Sequence, residues 1–472
     1  MSAHVYTAPC VNTHAVEEYI KKCVAINTFP KCIQIHKGDE PMLRMCFAPH
    51  SYDERMQVYS LSKSFTSIAC GICMDEGLLS PDTKICELFA DKIPANPHPY
   101  ILQMRLCDLL SMQSGHGCCA LPLMRNSEDS LKTFFEQPLP HEPGKTFVYS
   151  TGATCLCGAA VERVTGKKLV DFLYERLFSV LGIERPLWLE THDGQTLSGT
   201  GLHISSNDLT KFALFLKNKG VWNGRRIVSE EYIKQATSFH SVDPNNGSPD
   251  WVAGYGWQFW LNARGGFRGD GAFGQLCLVM PDETTITFLG ESGNMHDEVR
   301  LIYGLLDTMY LPEEGEKADL EGLVASHYSL ARSDKGELDF CVSVEENPTE
   351  ISEISFTGDE ILHVVMETAY GKKEIACGNG FYIGNHLMLR YLSVSINQFD
   401  SRFGSVEPIS VYACYTFEND KLCVVLRHID TPHVQKWTFD TEKGEWNIHS
   451  ITGELKCKSF KIHLKENDSS DK

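Results

Sequence analysis

No stretch of this chain approaches the run of about 18 apolar residues that a membrane-spanning helix needs. The opening residues, MSAHVYTAPCVNTHAVEEYIKKC, lack the basic patch and apolar core of a secretory signal. Basic residues are also scarce: 43 Lys and Arg stand against 62 Asp and Glu, for a formal net charge of −19. That deficit argues against binding a nucleic-acid backbone, which needs clustered Lys and Arg, and against attraction to an anionic membrane surface. No H-E-x-x-H or similar cluster at metal-ligand spacing occurs, so neither a metal nor a cofactor is expected. Fixed-period repeats and low-complexity tracts are absent too.

Cysteine is the exception to this scarcity. Eighteen are scattered through helix-like and strand-like segments. Without an export signal they are expected to be reduced, in a cytoplasmic protein. Cys70 and Cys73 have redox or zinc spacing (CGIC), but no second pair accompanies them and they fall inside an apolar helix pattern. They read as small core residues.

The texture of the chain changes three times. His14 to Val24 reads as a short amphipathic helix, and CIQIH and MLRMCFA as a hairpin around Gly38-Asp39. Ser60 to Glu76 reads as a largely apolar helix stopped by Gly77. Residues 80 to 235 are mostly helical in pattern, with pieces at Ile101–Ser111, Thr154–Val164, Leu169–Val180 and Ser206–Lys219. Strands return near Tyr255 as YGWQFWL, QLCLVMP and TTITFLGE, followed by a helix over Glu298–Met309. The pattern predicts one discontinuous α+β domain over 1–311, an antiparallel sheet flanked by helices and carrying a helical insertion.

Residues 312–322, polar and charged with Pro312 and Gly315, read as a linker. Residues 323–472 alternate as short strands with turns at Gly371, Asn419-Asp420 and Lys443-Gly444. They predict an all-β domain, a barrel or sandwich, that folds separately and carries no catalytic residue.

Two motifs carry chemistry. In Tyr59-Ser60-Leu61-Ser62-Lys63, the serine and lysine lie three apart at a helix start and share one face. Acyl transfer needs a serine oxygen relieved of its proton and donors for the developing oxyanion. A helix N-terminus supplies free N–H groups, and a lysine whose surroundings disfavour the ammonium can accept the proton. The pattern S-x-x-K alone is expected about twice by chance in a chain of this composition. The second motif is Phe147-Val148-Tyr149-Ser150-Thr151-Gly152, after the turn residues Pro143-Gly144. It places Tyr149 at a loop-to-helix junction, where a tyrosine beside a cation can relay a proton.

Together these segments, with LCDLLSMQSGHG and GTGLHISSNDLTKFALFLKNKG, resemble the β-lactamase-related serine hydrolases over roughly residues 30 to 310. That group spans class C β-lactamases, D-alanyl-D-alanine peptidases, D-aminopeptidases and esterases. The resemblance implies a β-lactamase/transpeptidase-like fold. It implies Ser60 as nucleophile, Lys63 as its partner and Tyr149 as the tyrosine of a Y-x-N motif. The expected activity is serine hydrolysis through an acyl-enzyme on a small-molecule or short-peptide substrate, with no nucleic-acid or membrane partner. The oligomeric state stays open.

Two departures bear on substrate. Thr151 stands where the family commonly has Asn, and the family's third motif, K-T-G or H-x-G on a strand, is not recognisable. Its likeliest equivalent is Arg268-Gly269-Asp270-Gly271-Ala272-Phe273-Gly274, where glycine would let backbone approach substrate and complete an oxyanion hole. Thr151, Arg268, Gly271, Ala272 and Phe273 are therefore the expected substrate-binding residues, with His116 of SGHG and His296 as candidates at the mouth. Without a Lys or His there, esterase or peptidase activity is favoured over β-lactamase activity. The formal G-x-G-x-x-G at Gly269 precedes a strand, not a helix, which excludes a dinucleotide site. Two other readings stand beside this one. One is a ligand-binding relative that has lost catalysis. The other is an α/β-hydrolase built on Ser292 in Gly290-Glu291-Ser292-Gly293-Asn294.

Overall fold

The computed structural model describes residues 4–347, 350–390, 406–450 and 458–465. Its first unit is built around a seven-stranded antiparallel sheet drawn from two distant parts of the chain. His4–Thr7, Glu40–Cys46 and Thr28–Lys37 form one side, and Thr284–Ser292, Gln275–Val279, Phe267–Gly271 and Trp260–Leu261 the other. The two halves are sewn together by Thr28–Lys37 against Thr284–Ser292. Everything between, from Tyr59 to Val252, is inserted and mostly helical, as the sequence pattern predicts.

Alternation along the central strands explains why helices cover both faces. Leu276, Leu278, Ile286 and Phe288 pack in one core with Val16 and Ile20 of helix Thr13–Ala25 and Val299 and Ile302 of helix Met295–Thr308. Cys277, Val279 and Leu289 face the other core, with Phe212 and Phe215 of helix Ser206–Lys217 and Phe65 of helix Ser62–Asp75. Cys70 and Cys73 are buried in that second core.

Several boundaries differ from the sequence reading. The Ile101–Ser111 segment is two short helices, Pro99–Gln103 and Leu106–Leu110, because Met104 and Arg105 between them are extended. YGWQFWL contributes only Trp260–Leu261 to the sheet, since Gln258 turns the chain with φ +67°. The stretch 312–322 is tied down rather than loose. Glu313 accepts hydrogen bonds from the N–H groups of Thr13 and His14, at 2.7 and 3.1 Å, a favourable place for a carboxylate at a helix N-terminus. Helix Leu320–Ser326 then buries Leu320 and Val324 in the core of the first unit.

The rest of the chain forms a barrel. Among the described residues, nine strands close a ring that runs in antiparallel pairs from Gly371–Asn379 round to Val406–Glu418. A short parallel pairing, Gly378 with Cys414 and Asn379 with Tyr415, shuts it. Strand Ile383–Arg390 pairs onto Val406–Glu418 as a tenth. Residues 391–394 and 455–457, which the pattern includes in strands, lie outside the described residues. The interior holds Ile354, Phe356, Val364, Met366, Val424, Trp437, Phe439 and Trp446. The turns fall where Gly371, Asn419-Asp420 and Lys443-Gly444 place them, with Asn419 and Asp420 both left-handed between paired Glu418 and Lys421.

The barrel does not hang free. Glu291 at the end of a central strand pairs with Arg427 of the barrel, and Lys31 stands 3.7 Å away, all three buried. Lys31 donates to the carbonyls of His428 and Thr431 at 2.7 and 2.8 Å, and Tyr412 donates to Glu54. Buried charges this well paired cost about 3–5 kcal/mol when one partner is removed.

Candidate active site

Ser60 sits in the 3-10 turn Tyr59–Leu61 that feeds directly into helix Ser62–Asp75, so Lys63 falls in the helix's first turn. The lysine is only 1% exposed. Its Nζ lies 3.0 Å from Ser60 Oγ, 3.0 Å from Thr151 Oγ1 and 2.6 Å from the Gly199 carbonyl. The carbonyl comes this close because residue 199 is glycine: a Cβ there would meet Thr151 Cγ2 at 2.6 Å. No carboxylate faces the amine among these partners, and burial pushes the Lys63 pKa down to about 8. A neutral amine has two N–H donors and one lone pair. Donation to Thr151 and Gly199 leaves the lone pair for the Ser60 proton.

Tyr149 precedes Ser150, whose hydroxyl caps helix Thr151–Thr165 by accepting from Ala153 N at 3.3 Å. Its ring stacks on Trp260 and lies 4.9 Å from Lys63 Nζ. Burial raises the phenol above its usual range, while a hydrogen bond with Ser60 pulls the other way. The hydroxyl is therefore a neutral donor and acceptor beside Ser60, suited to relaying a proton rather than holding a phenolate.

The opposite wall is strand Phe267–Gly271 with its turn at 272–274. Gly269 and Gly271 face the segment around Ser60 at very short range. A Cβ on Gly271 would meet Val58 O at 2.1 Å, and one on Gly269 would meet Ser64 Oγ at 2.8 Å. Phe273 takes a left-handed φ of +66° in the turn. Ala272 lines the same cavity as Ser60.

That cavity holds about 530 Å³. Ser60, Tyr149, Thr151 and Ala272 all reach it, together with an aromatic wall of Phe147, Trp251 and Trp260. Asp243 and Asp270 supply the acidic groups, and His296, its ring tilted against Trp251 with centroids 4.3 Å apart, lines it too.

Two expected residues do not take part as read from sequence. Arg268 is 0% exposed; its Nε and Nη1 are bound inside the protein and its Nη2 is buried. It pairs with Asp270 at 2.9 Å, donates to Asp250 O and Asn262 Oδ1, and lies 4.3 Å from the Trp251 ring centre. It therefore offers no basic tip to a substrate, and the side chain at the cavity is Asp270, whose carboxyl burial raises. His116 is a core residue. It is bonded to Ser114 Oγ at 3.0 Å and to Phe134 O at 3.1 Å, and packs on the Phe134 ring. Ser292 is buried too, its hydroxyl 2.8 Å from that of Thr28.

Sequence reasoning gave no role to Gly199, Trp251, Trp260, Asp243 or Asn246. Gly199 opens a segment already quoted for its resemblance, so the signal was present. The tryptophans and Asn246 converge only through the fold.

The profile of the beta-lactamase family matches residues 38–303, more than half of the chain, and the chain belongs to that family. It is 25% identical over 266 residues to the 6-aminohexanoate-dimer hydrolase of Paenarthrobacter ureafaciens, covering 52% of this chain and 68% of that protein. It is 28% identical over 170 residues to the lovastatin esterase of Penicillium rubens, covering 31% of this chain and 42% of that esterase. The octameric penicillin-binding protein homologue of Pyrococcus abyssi aligns with a TM-score of 0.51 at 13% identity, over 96% of this chain and 99% of its own. At that identity the likeness speaks for the fold alone: a β-lactamase/transpeptidase-like unit followed by a barrel. No helix among the described residues is long and apolar enough to cross a membrane.

Proposed function

We propose that the protein is a serine hydrolase that acylates Ser60 with an ester, amide or peptide carbonyl, assisted by Lys63 and Tyr149. The observation that carries this reading is the environment of Lys63. A buried lysine 3.0 Å from a serine hydroxyl, held by two neutral acceptors and pushed down to about 8, is a general base made to work near neutral pH.

In the proposed sequence, Ser60 Oγ attacks the carbonyl carbon as its proton passes to Lys63. The oxyanion forms against backbone N–H groups of Ser60 and the 271–273 segment. The proton returns through Tyr149 to the leaving oxygen or nitrogen as that bond breaks. Water then attacks the acyl-Ser60 ester and gives its proton to the same base, which passes it to Ser60 Oγ as that bond breaks and the acid leaves.

Esters and simple amides are favoured over β-lactams. The carboxylate of a β-lactam would meet Asp270 at the cavity wall, with Arg268 turned inward and unable to reach it. The names of two relatives, a 6-aminohexanoate-dimer hydrolase and a lovastatin esterase, fit this reading. A cytoplasmic site of action is part of the proposal and rests on the many buried thiols. Comparing kcat/KM for a short-chain aryl ester and a chromogenic cephalosporin, on one preparation of intact protein, tests the substrate preference. A higher value for the ester is expected; a higher value for the cephalosporin overturns it.

A further inference from the structure

The barrel reaches the nucleophile. Between its strands Lys421–His428 and Val434–Asp440 runs a loop that lies under the segment leading to Ser60. Asp430 O accepts from the N–H of Gln57 at 2.8 Å. His433, 0% exposed, places Nε2 2.7 Å from the hydroxyl of Tyr59, the residue before the nucleophile. The His433 ring also meets Phe273 edge-on with centroids 5.0 Å apart, and Phe273 meets Tyr59 edge-on at 5.2 Å.

These three rings come from three places: the nucleophile turn, the turn on the opposite wall, and the barrel. Tyr59 and Phe273 are both left-handed, with φ of +46° and +66°, a conformation that bulky L-residues adopt only when their surroundings hold them there. Their backbones bracket the two segments whose N–H groups are the proposed oxyanion donors. A hydroxyl caught by a buried imidazole on one side and a ring packed on the same imidazole on the other is what fixes both.

We infer that His433 is a positioning residue of the active site: by binding the Tyr59 hydroxyl and packing on Phe273, the barrel sets the backbone geometry of Ser60 and residues 271–273. This inference rests on the reading of Ser60 as nucleophile. It reverses the sequence-based expectation that the β domain leaves catalysis untouched. Oxyanion donors act through geometry, so a small displacement slows acylation while hardly altering ground-state binding.

The test uses the full chain with His433→Ala, His433→Gln, Tyr59→Phe and the Tyr59→Phe/His433→Ala double variant. Each is measured for the rate of Ser60 labelling by a fluorophosphonate, for kcat and KM on an aryl ester, and for thermal melting. His433→Ala and Tyr59→Phe are expected to slow labelling and kcat by roughly 10- to 100-fold with KM within about twofold. The double variant should be no slower than the worse single one, because both break one interaction. His433→Gln, whose amide still reaches a hydroxyl, should recover part of the rate. Tyr59→Phe keeps the ring and its packing, so it reports even if His433→Ala folds poorly. Wild-type labelling at Ser60 with variants at the wild-type rate overturns this inference alone. So does a loss that follows melting temperature, or losses that multiply in the double variant. Absence of label on wild-type Ser60 overturns the nucleophile assignment and this inference with it.

Discussion

The cavity at Ser60 has two walls that use polar groups in opposite ways. On one, helices Ser62–Asp75 and Thr151–Thr165 turn polar atoms toward Ser60, and Lys63 Nζ finds Ser60, Thr151 and Gly199 within 3.0 Å. On the other, strand Phe267–Gly271 turns its one base away: Arg268 is buried against Asp270, Asp250 and Asn262, and glycines face the segment around Ser60. In the proposed mechanism the first wall supplies the proton chemistry. The second supplies close backbone and an acidic, aromatic surface. In the proposed mechanism chemistry and recognition thus fall on separate walls, and the recognition wall contains a buried ion pair.

The sharpest way to break this contrast is to disarm the first wall. Lys63→Met is expected to lower kcat/KM on an aryl ester by roughly 10³-fold or more, and Tyr149→Phe by roughly 10²-fold, with melting temperatures little changed. Near-normal turnover by Tyr149→Phe would make that ring a packing element only. The same wall sets the pH dependence. Lys63 must be neutral to accept a proton, so kcat/KM should rise with pH and level off above an apparent pKa near 8. A profile flat from pH 6 to 9 would remove Lys63 from the base role.

The second wall is expected to respond more weakly. In Gly271→Ala the new methyl meets Val58 O, a backbone atom that cannot swing aside. Overpacking of that kind costs about 1–3 kcal/mol, which urea unfolding measures, and it should slow acylation by separating the two segments. The smallest catalytic effect belongs to Arg268→Met. Stability should fall by about 3–5 kcal/mol because Asp270 loses its buried partner. KM for a carboxylate-bearing substrate should stay within about twofold, the mark of a residue that touches no substrate. A tenfold rise in KM would restore Arg268 as a carboxylate anchor.

What was legible in the sequence follows the same division. Ser60, Lys63, Tyr149 and Thr151 lie in short local patterns at helix starts, where spacing dictates which atoms share a face. The hairpin turns of the barrel were legible because Asn419-Asp420 and Gly444 favour the left-handed backbone those turns need. Arg268 was misread because a basic residue beside glycines looks available until the fold brings Asp250 and Asn262 to it. His116 was misread because its glycine-rich setting suggests a surface loop, whereas Phe134, eighteen residues on, covers it. Nothing local to His433 announces that it meets Tyr59, 374 residues earlier. Such contacts belong to the topology, in which the sheet is closed by strands from both ends of the first unit and the barrel docks on the seam.

The central claim is that Ser60 is the acylated nucleophile. Intact-mass and peptide-mapping mass spectrometry after exposure to a fluorophosphonate tests it most directly, with the wild-type chain and Ser60→Ala side by side. One adduct per wild-type chain is expected, on the peptide carrying Ser60, and none on the variant. An adduct that persists in Ser60→Ala, on Ser292 for example, would contradict the account.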